Sequence, residues 1–251
     1  MIPKIIHYCW FGPNPLPESA KFYINSWKKY LPDYELVLWN EKNFCISSIP
    51  YVKEAYESKK FAFVTDYVRL YALYHYGGIY MDTDVEVLKN LDVFLTHKSF
   101  SGFESPNQIP TGIMGSEKEL PIFKELLSYY DDKHFIDENG NLDLTTNVDI
   151  ITNIMLKKGL IPNNTYQEVE NFTLYSKEVF CPMKRAFGEK YTNDTYTIHH
   201  FEGSWLPEEE RIRRSKKTVL FKQKIILSIR RFLLSTIGRK NLDRIKKWCG
   251  R

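Results

Sequence analysis

The stretch Phe61–Glu86, FAFVTDYVRLYALYHYGGIYMDTDVE, constrains this chain more than any other. Phe61 to Tyr76 contains no Gly or Pro. It sets Val64, Val68, Tyr71 and Leu73, with Phe63, Tyr67 and Tyr74, at mixed three- and four-residue spacings. That pattern predicts a well-buried helix. Gly77-Gly78 supplies a C-terminal stop, because a left-handed residue carries no side-chain penalty at glycine. Ile79-Tyr80-Met81 then predicts a short buried strand with Asp82-Thr83-Asp84 at its end.

Residues i and i+2 of a strand face one side, so the pleat predicts that Asp82 and Asp84 reach one point. Two converging carboxylates repel each other unless a cation neutralises them. Hard divalent ions with oxygen ligands, Mg²⁺ or Mn²⁺, suit such a corner, and they commonly bridge to phosphates. For a bare D-x-D the alternative is a solvated turn. Asp66 and Arg69, three apart on one face of the preceding helix, argue instead for a polar pocket. The paired glycines also let backbone approach backbone closely.

The remaining elements form a consistent frame. Ile2–Trp10 reads as a first buried strand. Pro17-Glu18-Ser19 opens a helix with Phe22, Trp27, Tyr30 and Leu31 for its inner face. Tyr34–Trp39 is a second strand. Strand, helix, strand at this spacing is the opening of a parallel α/β sheet. Ligands bind beyond the carboxyl ends of such strands, where Trp10, Asn40 and Asp82 fall. Further strands are expected at 85–88, 99–104, 109–114, 166–169, 172–175, 179–181 and 196–200. Helices are expected at 91–95, 119–130 and 145–157, the last capped by Thr145 or Thr146. His7, in mid-strand, reads as a satisfied core histidine.

Composition bounds the setting. The 251 residues suffice for one sizeable core plus an appendage. Sixteen Phe, 17 Tyr and five Trp supply core packing first. The four cysteines, Cys9, Cys45, Cys181 and Cys249, show no C-x-x-C spacing, which argues against a zinc site or a disulfide framework. That scatter fits a reducing cytoplasm, and the opening residues do not read as a signal peptide. No apolar run approaches the roughly 20 residues that span a bilayer.

Charge separates the tail from the body. Residues 211–251 hold 15 Lys/Arg against one acidic residue, Asp243, whereas the rest holds 20 basic and 30 acidic residues. Within the tail, Leu220, Phe221, Ile225, Ile229, Phe232 and Leu233 oppose a polar stripe of Lys224, Ser228, Arg231 and Ser235. Leu242, Ile245 and Trp248 form a second apolar side. Basic amphipathic helices of this kind suit an anionic membrane surface. A partner-protein helix or a plain packed C-terminal helix is the alternative. Nucleic acid would leave the apolar face unexplained.

The string T-D-Y-V-R-L-Y-A-L-Y-H-Y-G-G-I-Y-M-D-T-D resembles the DxD-containing sugar-binding region of glycosyltransferases related to bacterial capsule and yeast mannosyl transferases. More distantly it is similar to the glucosylating domains of the large clostridial toxins. The likeness is dense at residues 1–15, 61–88 and 199–205 and thin between. It implies a GT-A fold, a Rossmann-like mixed sheet flanked by helices, over residues 1–207, with the helical tail at 208–251. It further implies retaining transfer of a sugar from a nucleoside diphosphate donor, a UDP-sugar favoured, to a hydroxyl acceptor.

The resemblance also implies roles. Asp84 is the direct metal ligand, for Mn²⁺ or Mg²⁺, and Asp82 bridges toward ribose and sugar. Asp66 and Arg69 hold the donor sugar, with Tyr80 beside them, so that Asp66, Arg69 and Asp82 form the catalytic group. His7–Trp10 resembles the family's opening strand, which makes Trp10 a candidate to stack on the base; capping the core edge is the alternative. His199–Trp205, H-H-F-E-G-S-W, resembles the closing segment. There Ser204 and Trp205 fold over the diphosphate, Gly203 suits a hinge, and His200 is favoured over His199 as a third metal ligand. Asn147-Val148 stands where relatives carry Gly-Pro. With the basic tail, the expected acceptor is a lipid-linked saccharide at the inner face of the plasma membrane, as in bacterial surface polysaccharide assembly. A toxin-like enzyme acting on a host protein, or a silent sugar- or nucleotide-binding protein, is the alternative.

Overall fold

In the computed structural model, which describes residues 1–110, 112–182, 191–203 and 213, the chain opens with a strand, a helix and a second strand. These are β1 (Ile5–Cys9), α1 (Glu18–Tyr30) and β2 (Glu35–Trp39), and β1 pairs in parallel with β2 from Ile5↔Glu35 to Cys9↔Trp39. Two helices follow, α2 (Pro50–Glu57) and α3 (Phe61–Tyr76). Strand β3 (Gly78–Met81) then runs parallel to β1 on its other side, with His7 opposite Tyr80. Three parallel strands therefore end together, and the next residues are Trp10, Asn40 and Asp82. This is the strand-end placement expected from the sequence.

The sheet is completed by β5 (Ser99–Gly102), β6 (Ile113–Ser116), β7 (Gln167–Val169) and β8 (Phe172–Tyr175), in the order β2-β1-β3-β6-β5-β8-β7. Strand β6 is antiparallel to both β3 and β5, so the sheet is mixed. A separate two-stranded sheet pairs β4 (Val85–Val87) with β9 (Thr197–His199). Helices α4 (Pro121–Ser128), α5 (Asn147–Lys157) and the short α6 (Lys177–Phe180) lie between the later strands.

Strand β3 separates two cores by pleat alternation. Tyr80 packs with Val64, Val68 and Leu73 of α3 on one face, while Ile79 and Met81 pack with Ile24 and Trp27 of α1 on the other. The two glycines make the α3–β3 corner. Gly77 at φ +66 donates its N–H to Leu73 O, and a Cβ on Gly78, at φ +100, would lie 2.6 Å from Ile5 O. That is the close backbone approach expected of the pair.

Several local expectations change. Residues 179–181 lie in or after α6 rather than a strand, because Phe180 is drawn down between Phe94 and Phe100, at ring distances of 4.9 and 5.7 Å. A three-residue apolar run cannot be told from a helical turn by its periodicity. Phe22 of α1 is 62% exposed rather than inward. The segment expected at 109–114 forms its strand at Ile113–Ser116. Helix α2, with Pro50 at its start and Tyr51, Val52 and Ala55 buried, is an addition. The chain divides into Met1–Phe201 and Glu202–Arg251. The tail apart from Arg213, together with Ser204 and Trp205, lies outside the described residues. No described helix is long and apolar enough to cross a membrane.

His7 is the satisfied core histidine expected. Its Nε2 lies 2.8 Å from Gly77 O, and Trp39 Nε1 donates to Nδ1 at 3.1 Å. Burial pushes its pKa down to about 4 from 6.5, against the opposing pull of the Gly77 carbonyl. As pH falls below 6.5 the unfolded chain takes up this proton first, so the native state loses stability until about pH 4. The expected loss is roughly 3 kcal/mol. Urea unfolding of wild type and His7→Gln tests this: the stability gap should narrow by that order between pH 7 and pH 4. A pH-independent gap would contradict it.

Candidate active site

Helix α3 places Asp66 and Arg69 on one face, three residues apart, and the glycine corner turns the chain so that β3 brings Asp82 back beside them. Arg69 Nη2 lies 3.2 Å from Asp66 Oδ1 and 3.2 Å from Asp82 Oδ1. Its guanidinium carbon sits 4.7 Å from the centroid of the Tyr80 ring, and the Tyr80 hydroxyl donates to Asp82 Oδ1 at 2.7 Å. Burial works against a charged Arg69, yet Asp82, Tyr80 and Asp66 more than restore it, and its pKa is raised. Burial likewise pushes Asp66 up to about 6, and Arg69 and the Asn147 N–H hold it from rising further.

Asn147, the first residue of α5, closes the network from the other side. Its backbone N–H donates to Asp66 Oδ2 and its side-chain amide to Asp66 O, both at 3.1 Å. Where relatives were expected to carry Gly-Pro, this chain therefore ties α5 to the carboxylate of α3.

Strand β3 ends at Met81, so the aspartates do not share a face through the pleat. A turn does this instead: Val85 N–H donates to Asp82 O at 3.0 Å, and Asp82 N–H donates to Gly112 O at 2.8 Å. The β4–β9 pairing then sets Val85 opposite His199. His199 Nε2 comes to 3.2 Å from Asp84 Oδ1 and 3.8 Å from Asp82 Oδ2. One ligand atom from each of Asp82, Asp84 and His199 lies within 4.8 Å of the other two. Gly112 leaves the room, since a Cβ there would stand 3.0 Å from Asp82 Oδ2 and 3.1 Å from His199 Cε1.

Two carboxylate oxygens and one imidazole nitrogen form a donor set suited to Mn²⁺ or Mg²⁺. Burial opposes a charged His199, but the hydrogen bond to Asp84, the Cys181 side chain and the charges of Asp84 and Asp82 outweigh it and raise its pKa well above 6.5. The corner thus attracts positive charge, and a divalent cation can take the place of that proton.

The histidine at this corner is His199, not the His200 favoured from the sequence. Adjacent residues of a strand end point to opposite sides, and the backbone N–H of His200 is held by Asp84 O at 3.0 Å. His200 Nε2 lies 2.9 Å from Glu86 Oε2, and its ring stacks on Tyr23 at 4.4 Å. Tyr80, expected at the donor, is 1% exposed and acts on the site through Asp82 and Arg69. Trp10 stands half-buried beyond β1, its Nε1 donating to Asn14 O at 2.7 Å. Glu104 and Gly112 border the site without having been singled out, and Asn147 was marked only as standing where relatives carry Gly-Pro. A glycine or a loop carboxylate carries no signal in one sequence, although Thr146 and Asp149 do mark the start of the helix that carries Asn147.

A mixed sheet flanked by helices, with an acidic corner beyond its parallel strand ends, is the GT-A glycosyltransferase architecture. The solved structure titled "PaToxG Glycosyltransferase" shares the fold, with a TM-score of 0.50 at 20% identity, over 63% of this chain and 69% of that one. Residues 17–101 match the family described as "Glycosyltransferase sugar-binding region containing DXD motif". Residues 17–101 thus resemble the sugar-binding region of that glycosyltransferase family. Among curated proteins it is 31% identical to inositol phosphoceramide mannosyltransferase 2 of Schizosaccharomyces pombe over 82% of this chain and 58% of that protein. It is 35% identical to inositol phosphoceramide mannosyltransferase 3 of the same organism, over 50% of this chain and 36% of that protein. The chain thus spans less than two thirds of these relatives.

The two histidines separate cleanly by Mn²⁺ titration. His199→Ala should weaken Mn²⁺ binding by at least about tenfold, on the scale of losing a supporting group at a metal site. His200→Ala should leave it within about threefold. The reverse order would return the metal to His200.

Proposed function

We propose that this protein is a metal-dependent glycosyltransferase that moves a sugar from a nucleoside diphosphate donor to a hydroxyl acceptor with retention. The observation that carries the proposal is the Asp82–Asp84–His199 corner set against the Arg69–Asp66 pair at the ends of three parallel strands. Departure of a nucleoside diphosphate builds negative charge on the leaving oxygen, and stabilising that charge is the largest electrostatic demand of the reaction. A bound Mn²⁺ or Mg²⁺ supplies that stabilisation. The protein's own part is to hold the acidic corner rigid, since Arg69 and Tyr80 fix Asp82 while the β4–β9 pairing fixes Asp84 and His199. Asp66 and Arg69 offer an acceptor and donors for sugar hydroxyls and Trp10 offers a face for the base, while the resemblance assigns Ser204 and Trp205, outside the described residues, to the diphosphate.

The donor class is a nucleoside diphosphate hexose. The resemblance favours a UDP-sugar, and the mannosyltransferase names of the relatives set a mannosyl donor beside it. The same names, which specify inositol phosphoceramide, support a lipid-linked acceptor. With the basic amphipathic segment at 211–251, that acceptor puts the protein on an anionic membrane surface. The setting we propose is the cytoplasmic inner face of the plasma membrane, in surface polysaccharide assembly.

Thermal unfolding with UDP and with GDP, each with and without Mn²⁺, tests the site. A ligand that binds only the native state raises the midpoint by mass action. A rise that needs Mn²⁺ and disappears in Asp84→Ala is expected, and the nucleotide that produces it names the donor base. Equal midpoints under all four conditions would contradict the proposal.

Removal of residues 211–251 should abolish sedimentation with phosphatidylserine vesicles while donor hydrolysis continues. Undiminished sedimentation would remove the membrane part alone.

A further inference from the structure

The acidic corner uses only one nitrogen of its imidazole. His199 Nε2 faces Asp84 and Asp82, while Nδ1, on the other side of the ring, is buried and has no hydrogen-bond partner among the described residues. The side chain that stands behind it is Glu104, whose Oε2 lies 3.8 Å from Nδ1. Glu104 follows β5 on a segment held at both backbone groups. Its N–H donates to Gln108 O at 2.9 Å, and its carbonyl accepts from the Cys181 thiol at 3.9 Å. The carboxylate side chain is 26% exposed. An approach of about 1 Å turns the present contact into a charge-assisted hydrogen bond.

We propose that Glu104 is a positioning residue of the metal corner: its carboxylate accepts the Nδ1–H of His199 when Nε2 binds a divalent cation. The proposal rests on the reading of His199 as a metal ligand. A neutral imidazole has one N–H, and a metal at Nε2 requires that proton on Nδ1. Left without an acceptor in a buried place, that N–H would disfavour the metal-bound tautomer. The Cys181 thiol also borders the ring, but sulfur is a weak acceptor. A carboxylate behind a metal-bound histidine fixes its tautomer and orientation and raises its basicity. Glu104 lies on the far side of the ring from the two aspartates, so it acts through His199 and not on the sugar.

Two readouts on the full chain test this. In Mn²⁺ titrations, Glu104→Ala should weaken binding by about 10- to 100-fold. Glu104→Gln, which keeps a neutral acceptor, should recover most of the loss. Zn²⁺-loaded protein with ¹⁵N-labelled histidine supplies the second readout, with His199 assigned by its absence in His199→Ala. Its imidazole N–H should be protected from exchange in wild type and Glu104→Gln, and lost to exchange in Glu104→Ala. Wild-type Mn²⁺ affinity in Glu104→Ala, with the N–H still protected, overturns the proposal while leaving His199 as a ligand. Equal Mn²⁺ affinities in wild type and His199→Ala would remove the metal reading and this proposal together.

Discussion

A buried guanidinium holds this site together. Arg69 is charged inside the protein, and a charge there persists only if partners replace the water it has lost. Asp66, Asp82 and the face of Tyr80 do so, and each comes from a different point along the α3–β3 unit. The helix must therefore stop where it does, the glycine corner must turn as tightly as it does, and the strand must deliver Asp82 at its end. Breaking one partner would leave another buried charge uncompensated, which couples the corner's geometry to the stability of the core.

The second constraint is register. Asp84 and His199 are 115 positions apart in the sequence, and a three-residue ladder between β4 and β9 brings them together. Because strand side chains alternate, a one-residue slip would exchange His199 for a neighbour that faces away. The Trp27 indole donates to Val85 O at 2.7 Å, and the Ser26 hydroxyl accepts from Val87 N–H at 2.9 Å, so α1 clamps β4 from outside the ladder. The metal corner thus depends on the first helix of the chain as much as on its own turn.

What the sequence made legible was local. The helix at Phe61–Tyr76, its glycine stop and the strand after it follow from periodicity and backbone freedom, and the parallel β1–β2 opening follows from strand, helix and strand lengths. The convergence of Asp82 and Asp84 was anticipated for the wrong reason, since a turn rather than a pleat produces it. The choice between His199 and His200 depends on a strand pairing that no local pattern specifies. Glu104, Gly112 and Asn147 reach the site through long-range packing, and each has an ordinary local explanation as loop residue, small residue or helix start. Phe180 shows the same limit in the core, where burial between two other rings decided helix over strand.

The central claim is that three side chains from two distant segments make one cation site. Anomalous diffraction from crystals of the full chain grown with Mn²⁺ tests it most directly. A single strong peak within coordination distance of Asp82, Asp84 and His199 Nε2 is the expected result. Saturating Mn²⁺ with no peak there, or a peak at Glu86 and His200 instead, would contradict it.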